Sequence, residues 1–310
     1  MADEARPSSS LDAHAKTMNV DQPPPEEDTS VIVPLDPTSE SQNRADDQQS
    51  DIVDQFCKAK QVVQLEFYQA LLCEFLGTML LVIVATSTGL PVAHRPVPDL
   101  NGALASGLIV ATVIVGFGYI SGAHINPAVT VTFLAAAEID FLRALCYIGM
   151  QLLGAISASA LVFSITPAHA RGSLGMTMVT DGVTLTQAFV VEFIITFILT
   201  YTVHAICDQR RDDVGGSKAL AVGFAVTLGC LFGGPYTGGS MNPARSFGPA
   251  WALGIWEHHW IYWFGPLAGS ITAALIYTRI LRKPQPKSKP SIVVVPRSQS
   301  RSSLNRSKNL

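Results

Sequence analysis

The apolar positions of this 310-residue chain are gathered between about residue 65 and residue 281, in runs long enough to be membrane spans. One run, Ala70-Leu71-Leu72-Cys73-Glu74-Phe75-Leu76-Gly77-Thr78-Met79-Leu80-Leu81-Val82-Ile83-Val84, sits inside a stretch from Leu65 to Gly89. A helix needs about 20 such residues to cross about 30 Å of hydrocarbon. The same reading predicts spans over about Asn101 to Ile120, Phe141 to Phe163, Thr184 to Ile206, Ala219 to Phe232 and His259 to Ile280. Two shorter apolar stretches, Asn126 to about Ala135 and Asn242 to about Trp251, each open with Asn-Pro-Ala. Asn is a preferred N-cap and Pro is favoured at the first helical position, so each is a helix start. A helix that begins partway across a bilayer exposes backbone that lipid cannot satisfy, so it must be buried in protein or line a water-filled cavity. The predicted fold is an all-α membrane protein with six transmembrane helices and two re-entrant half-helices.

The pattern also repeats. Glu74-Phe75 with Thr78 recurs as Glu192-Phe193 with Thr196, an offset of 118 residues, and Asn126 recurs as Asn242, an offset of 116. Three spans per half give the halves, about 65–170 and 184–281, opposite orientations. Such an inverted repeat places its site near the midplane, where the broken helices meet.

Charge adds the flanks. The formal net charge is only -3, but the segment before Leu65 is rich in Asp and Glu, whereas from Arg279 onward there are Lys and Arg and no carboxylate. Residues 1–64 are expected to be an acidic, disordered cytoplasmic tail, and 282–310 a basic, disordered one, because neither holds enough apolar surface to order itself. The amino-terminal stretch lacks the basic start and apolar core of a cleavable signal, so insertion is expected to rely on the first span. Lys58, Lys60, Arg143, Arg210, Arg211, Lys218 and the tail from Arg279 fall on one side of six spans, with Arg95 and Arg171 on the other. Basic residues favour the cytoplasmic side, so both termini are expected there. The acceptor pattern Asn305-Arg306-Ser307 then lies on the wrong side for glycosylation. Arg297-Ser298, Arg301-Ser302-Ser303 and Arg306-Ser307 are candidate kinase targets, or the basic tail lies on anionic lipid. Cys57, Cys73, Cys146, Cys207 and Cys230 have no metal-type spacing and read as buried free thiols. No metal, cofactor or nucleic-acid partner is expected, and no catalytic dyad or triad is present.

The chemistry centres on Asn126-Pro127-Ala128 and Asn242-Pro243-Ala244. Half-helices entering from opposite faces bring their positive ends together. Each Asn can cap its helix and still offer amide N–H groups to the lumen. A passing water would turn its oxygen to both donors, breaking the file along which a proton hops, while the dipoles and Arg245 repel cations. Arg245 lies inside the membrane domain, where a charge is expensive and usually functional. Glu74 and Glu192 are intramembrane carboxylates that read either as a proton relay or as acceptors bracing the half-helix loops. His124 is expected to brace the first loop, and His204 to be a satisfied helix histidine rather than a gate. Gly265 with Gly269, and Gly77, Gly107, Gly149, Gly154 and Gly223, read as close helix crossings.

Ser121-Gly122-Ala123-His124-Ile125-Asn126-Pro127-Ala128-Val129-Thr130 and Tyr236-Thr237-Gly238-Gly239-Ser240-Met241-Asn242-Pro243-Ala244-Arg245-Ser246 resemble the two signature loops of the aquaporin, or major intrinsic protein, family. The resemblance covers roughly residues 65–281. It implies a homotetramer with a six-helix pore in each subunit, passing water or small neutral solutes. By family position Arg245 belongs to an outer selectivity filter with Ser106, Cys230 and Gly239. Water-selective relatives usually carry an aromatic at the first of these and a histidine at the second; glycerol facilitators carry aromatics at the first and third. Three small residues here imply a wider, less polar ring. Ser246 after Arg245 and the pair Tyr262-Trp263 resemble the water-channel branch. The resemblance also favours the bracing role for Glu74 and Glu192.

The sequence therefore predicts a passive, proton- and ion-excluding water channel, multi-pass in the plasma membrane, with a filter that admits small neutral solutes. The alternatives are an aquaglyceroporin-like channel mainly for glycerol, urea or other polyols, a proton-coupled transporter using Glu74 and Glu192, and an adhesion protein that lost conduction.

Overall fold

The computed structural model describes residues 64–283 except 95, 96, 98 and 212, so both predicted tails, Cys57, Arg95 and the Asn305 acceptor pattern lie outside the described residues. Among the described residues the elements are all helical: α1 (Leu65–Ser87), α2 (Asp99–Ser121), α3 (Pro127–Ala135), α4 (Phe141–Ile165), α5 (Leu185–Cys207), α6 (Lys218–Thr237), α7 (Pro243–Leu253) and α8 (Ile261–Leu275). A short 3-10 turn covers Ala168–Ala170, and α8 runs on as a π-helical turn over Ile276–Leu281. Six of the helices, counting α8 with its π turn as one, are long and apolar enough to cross a membrane. The half-helices α3 and α7 are not.

Local chemistry fixes several starts. Asp140 caps α4 by accepting from the Arg143 N–H, Ser217 caps α6 from the Leu220 N–H, and Thr184 with Gln187 forms a capping box on α5. Asn126 and Asn242 cap α3 and α7, with Pro127 and Pro243 opening each helix.

Packing repeats between the halves. In the first, α1 packs on α2 and α4; in the second, α5 packs on α6 and α8. The halves join through α2 against α6, and each half-helix crosses into the other repeat, α3 against α8 and α7 against α4. Small residues permit the crossings: a Cβ on Gly154 would strike the Phe75 carbonyl, and one on Gly269 would strike the Phe193 carbonyl, 118 residues further on. Gly107 and Gly223 face each other's carbonyls, and a Cβ on Gly265 would lie 2.8 Å from Glu192 Cβ. Without a hydrophobic drive between helices in lipid, such close backbone contact is what holds spans together. Gly149 differs: nothing lies within 4 Å of a Cβ there, so it marks no crossing. Val115, Phe224 and Ile280 are exposed on the outer surface of the bundle, where lipid is the natural solvent.

Several boundaries and one burial expectation change. Helix α6 continues five residues past Phe232, through Pro235, to Thr237. Proline there removes one helical N–H, yet the helix ends only at Gly238, whose φ of 81° allows its N–H to close on the Gly234 carbonyl at 3.0 Å. The α2 span starts at Asp99 and α4 reaches Ile165. Of the described cysteines only Cys73 is buried; Cys146 and Cys230 are half-buried and Cys207 is exposed.

Candidate functional site

The two loops that precede the half-helices are built alike. Ile125 and Met241, immediately before the capping asparagines, have φ of 46° and 53°. That is the left-handed region, costly for any side chain and most for a β-branched one. The turn aims each residue's carbonyl at the opposite loop. Asn126 Nδ2 donates to Met241 O at 2.8 Å, and Asn242 Nδ2 donates to Ile125 O at 2.9 Å. Each Oδ1 meanwhile accepts the cap N–H of Ala128 (2.8 Å) or Ala244 (3.0 Å). One N–H of each amide is thus committed and one remains for the lumen. Both asparagines are buried and both line the same cavity.

Each loop is hung from a fully buried carboxylate. Glu74 Oε1 accepts from Ser121 Oγ (2.7 Å) and the His124 N–H (2.9 Å), and Oε2 from the Ile125 N–H (2.7 Å) and Gln151 Nε2 (2.8 Å). Glu192 Oε1 accepts from Thr237 Oγ1 (2.6 Å) and the Ser240 N–H (2.9 Å), and Oε2 from the Met241 N–H (3.0 Å). Ser121 and Thr237 are 116 residues apart, the offset of the asparagines. Their carbonyls accept from Tyr147 and Tyr262 hydroxyls at 2.9 and 3.0 Å. A charge without partners would be untenable here, and these donors supply the partners. Neither carboxylate lines the cavity. Gln151, Ser121 and Thr237 were not singled out from sequence, although the 116-residue offset and, for Gln151, its polarity within a span were visible signals.

His124 is buried between Phe133, stacked at 4.6 Å between ring centroids, and the edge of Tyr147 at 5.3 Å. Its Nδ1 lies 3.3 Å from Thr130 Oγ1, and the residue lines the cavity. His204 Nε2 is 2.9 Å from Thr132 Oγ1, which itself donates to the Ser270 carbonyl, so that histidine is satisfied.

The cavity has a volume of about 970 Å³ and runs from Arg245 through the asparagines to a mouth at the face where α1 begins and α8 ends. At its far end lie Ser106, Cys230, Gly239 and Arg245 together. Arg245 Nη2 donates to the Ala85 carbonyl at 3.5 Å, and the buried Nη1 has no hydrogen-bond partner among the described residues. Cys230 Sγ lies 3.9 Å from the Gly239 carbonyl. Gly239 has φ of 62°, and a Cβ there would point back at α6, 3.1 Å from Cys230 Cα. This position therefore meets the cavity with backbone, and no side-chain choice at 239 alone sets the ring's width. Behind the ring, Ser246 Oγ is 2.6 Å from both Ser240 Oγ and Thr177 Oγ1.

The mouth at the other end carries an ion-pair cluster that sequence reasoning missed. Arg282 Nη2 reaches Glu138 Oε1 at 3.0 Å, and its Nε lies 3.6 Å from Asp208 Oδ2. Tyr277 donates to Asp208 Oδ2 at 3.1 Å, and the Arg210 N–H to Oδ1 at 3.1 Å. Burial pulls the Asp208 carboxyl up, but the Arg210 amide, the Tyr277 hydroxyl and the neighbouring guanidinium groups hold it below the usual carboxylate range. Groups of three or more His, Cys, Asp or Glu arranged to hold a metal do not occur among the described residues.

Comparison with known proteins agrees with this architecture. The family described as Major intrinsic protein matches residues 61–277. The lens fiber major intrinsic protein of Oryctolagus cuniculus is 45% identical over 215 residues, 69% of this chain and 82% of its own length. Aquaporin-4 of Homo sapiens is 45% identical over 215 residues, covering 68% of this chain and 67% of its own. The X-ray structure of the aquaglyceroporin from Plasmodium falciparum superposes with a TM-score of 0.63 over 70% of this chain and 97% of that one, at 24% identity, which speaks to the fold alone. With six spans, two half-helices and a family match across most of its length, the chain is an integral multi-pass membrane protein and belongs to the major intrinsic protein family.

Proposed function

We propose that the chain is a passive channel that conducts water, excludes protons and ions, and admits small neutral solutes through a wide outer ring. The observation that carries this reading is the reciprocal pair of hydrogen bonds, Asn126 to Met241 O and Asn242 to Ile125 O, which locks two lumen-facing amides where two helix N-termini meet. A water there accepts from both amides, so its own hydrogens point away along the file and the proton wire is broken at that point. The positive ends of α3 and α7 and the guanidinium of Arg245 oppose cations, hydronium included. Glu74, Glu192 and His124 act as braces that fix the loops. A proton relay through the carboxylates is disfavoured, because their oxygens are engaged by protein donors and neither faces the cavity.

Arg245 with Ser106, Cys230 and the Gly239 backbone forms the filter in this reading, and Arg245 Nη1 is the donor available to a permeating oxygen. The second reading, a channel mainly for glycerol or urea, is favoured by the small size of Ser106 and Cys230. Four subunits side by side, each with its own pore, and both termini in the cytoplasm of a plasma-membrane protein complete the proposal. Support for the orientation comes from the basic residues Arg143, Arg210, Arg211 and Lys218 on the face where α1 begins and α8 ends.

Osmotic shrinkage of proteoliposomes, followed by light scattering, tests the reading. An impermeant osmolyte should shrink them far faster than empty vesicles, and inward glycerol or urea gradients should give faster re-swelling; rates equal to those of empty vesicles would sink the channel or its solute extension respectively. A mercurial should block flux through the thiol at Cys230, and the Cys230→Ser protein should resist; block that persists in that variant would place the target elsewhere.

A further inference from the structure

We infer that Gly233, which lines no part of the cavity, is the positioning residue that sets the opening of the outer ring and so the passage of solutes larger than water; this rests on the filter reading given above. Position 239 meets the ring with backbone, so the ring's edge on that side is fixed by how closely residues 238–241 approach α6. Gly233 controls that approach. A Cβ on Gly233 would lie 3.2 Å from Gly239 Cα, 2.8 Å from Ile195 Cδ1 and 3.5 Å from Val191 Cγ1. The Ile195 methyl is the end of a flexible side chain and can turn aside. The Gly239 backbone cannot turn, and a close-packed interior passes the displacement on rather than absorbing it.

The direction of that displacement is set by the loop's other attachments. The Gly238 N–H is tied to the Gly234 carbonyl at 3.0 Å, the Gly239 N–H to Thr237 Oγ1 at 3.2 Å, and the Ser240 N–H to Glu192 at 2.9 Å. With both ends pinned, Gly239 pushed from α6 moves into the cavity it lines, toward the space that Ser106 and Arg245 share. Arg245 supplies the independent sign that a ligand passes here, since its buried Nη1 has no partner among the described residues. Gly234, the next residue along the helix, has nothing within 4 Å of the place a Cβ would take and so serves as a matched control.

The test compares wild type, Gly233→Ala and Gly234→Ala in proteoliposomes, reading water from osmotic shrinkage and glycerol and urea from re-swelling. Gly233→Ala should lower the solute rates at least about threefold, as pore diameter governs solute passage, with a smaller change in water. Gly234→Ala should leave both rates as they are. The double variant Gly233→Ala with Ile195→Val removes the 2.8 Å contact but keeps the one to Gly239, so it should retain the solute loss; it carries the same test if the single variant fails to accumulate. Equal solute rates in wild type and Gly233→Ala, or an equal loss in Gly234→Ala, would overturn the inference. If wild type passes neither solute, the wide-ring reading fails on its own, and the inference is judged on water: Gly233→Ala must then cut water flux, an unchanged flux overturning it.

Discussion

At the scale of single residues, the site depends on groups that would be unfavourable anywhere else. Ile125 and Met241 hold left-handed backbone, and Glu74 and Glu192 are carboxylates with no exposure at all. Each is tolerated because its neighbours determine it: the carboxylates take the loop amides, and the amides fix the turn that aims the carbonyls. Glu74→Ala would strand the His124 and Ile125 N–H groups, the Ser121 hydroxyl and one Gln151 N–H. A buried unpaired donor costs about 1–3 kcal/mol, so this variant should lose several kcal/mol in stability, read as a large fall in unfolding temperature in detergent. His259 makes a pH prediction. Its buried Nε2 has no partner among the described residues, and rings of Phe247, Trp256 and Tyr262 surround it at 5.0–6.2 Å between centroids. Burial lowers its pKa. The unfolded chain therefore binds the proton first, so the stability tied to His259 is fully present above the ordinary imidazole value of about 6.5 and is lost as pH falls from there toward the folded-state value. Unfolding temperature followed from pH 7.5 down to 5 should drop, and His259→Phe should flatten that slope.

At the scale of elements, the half-helices matter more than the spans. Asn126 performs two tasks with two atoms: Oδ1 caps α3, and Nδ2 ties the loop to Met241. Asn126→Asp keeps the cap but replaces the donor with a carboxylate oxygen facing a carbonyl. The helix N-termini would stabilise that negative charge, and the midplane barrier to cations would fall. The variant should stay folded yet leak protons, measurable with a pH-sensitive dye trapped in vesicles. How far these elements could be read from sequence follows from the physics of each. The spans and half-helices were legible because membrane thickness imposes length and Asn-Pro marks a start. The end of α6 was not, since Gly233-Gly234-Pro235 reads as a break, whereas the helix runs on to Thr237, whose hydroxyl donates to Glu192 and whose carbonyl accepts from Tyr262, contacts that only the fold brings together. The carboxylates and asparagines stood out by type and offset. The Glu138–Arg282–Asp208 cluster did not, because its members are loop charges brought together only by the fold.

At the scale of the whole molecule, the inverted repeat explains why one cavity serves both halves. Each half-helix packs against the other repeat's last span, so each half completes the other's packing, and the reciprocal asparagine bonds join the two where the cavity passes. The two ends of that cavity differ: a ring of small residues around one arginine at one, an ion-pair cluster tying three elements at the other. The central claim is that water crosses this junction while protons do not. Its most direct test measures both in one preparation, osmotic shrinkage by light scattering and internal pH by a trapped dye, under an imposed pH gradient. Shrinkage many times faster than in empty vesicles, with internal pH drifting no faster than theirs, is the predicted result. Shrinkage no faster than in empty vesicles, or a proton flux that rises with the amount of protein, would contradict it.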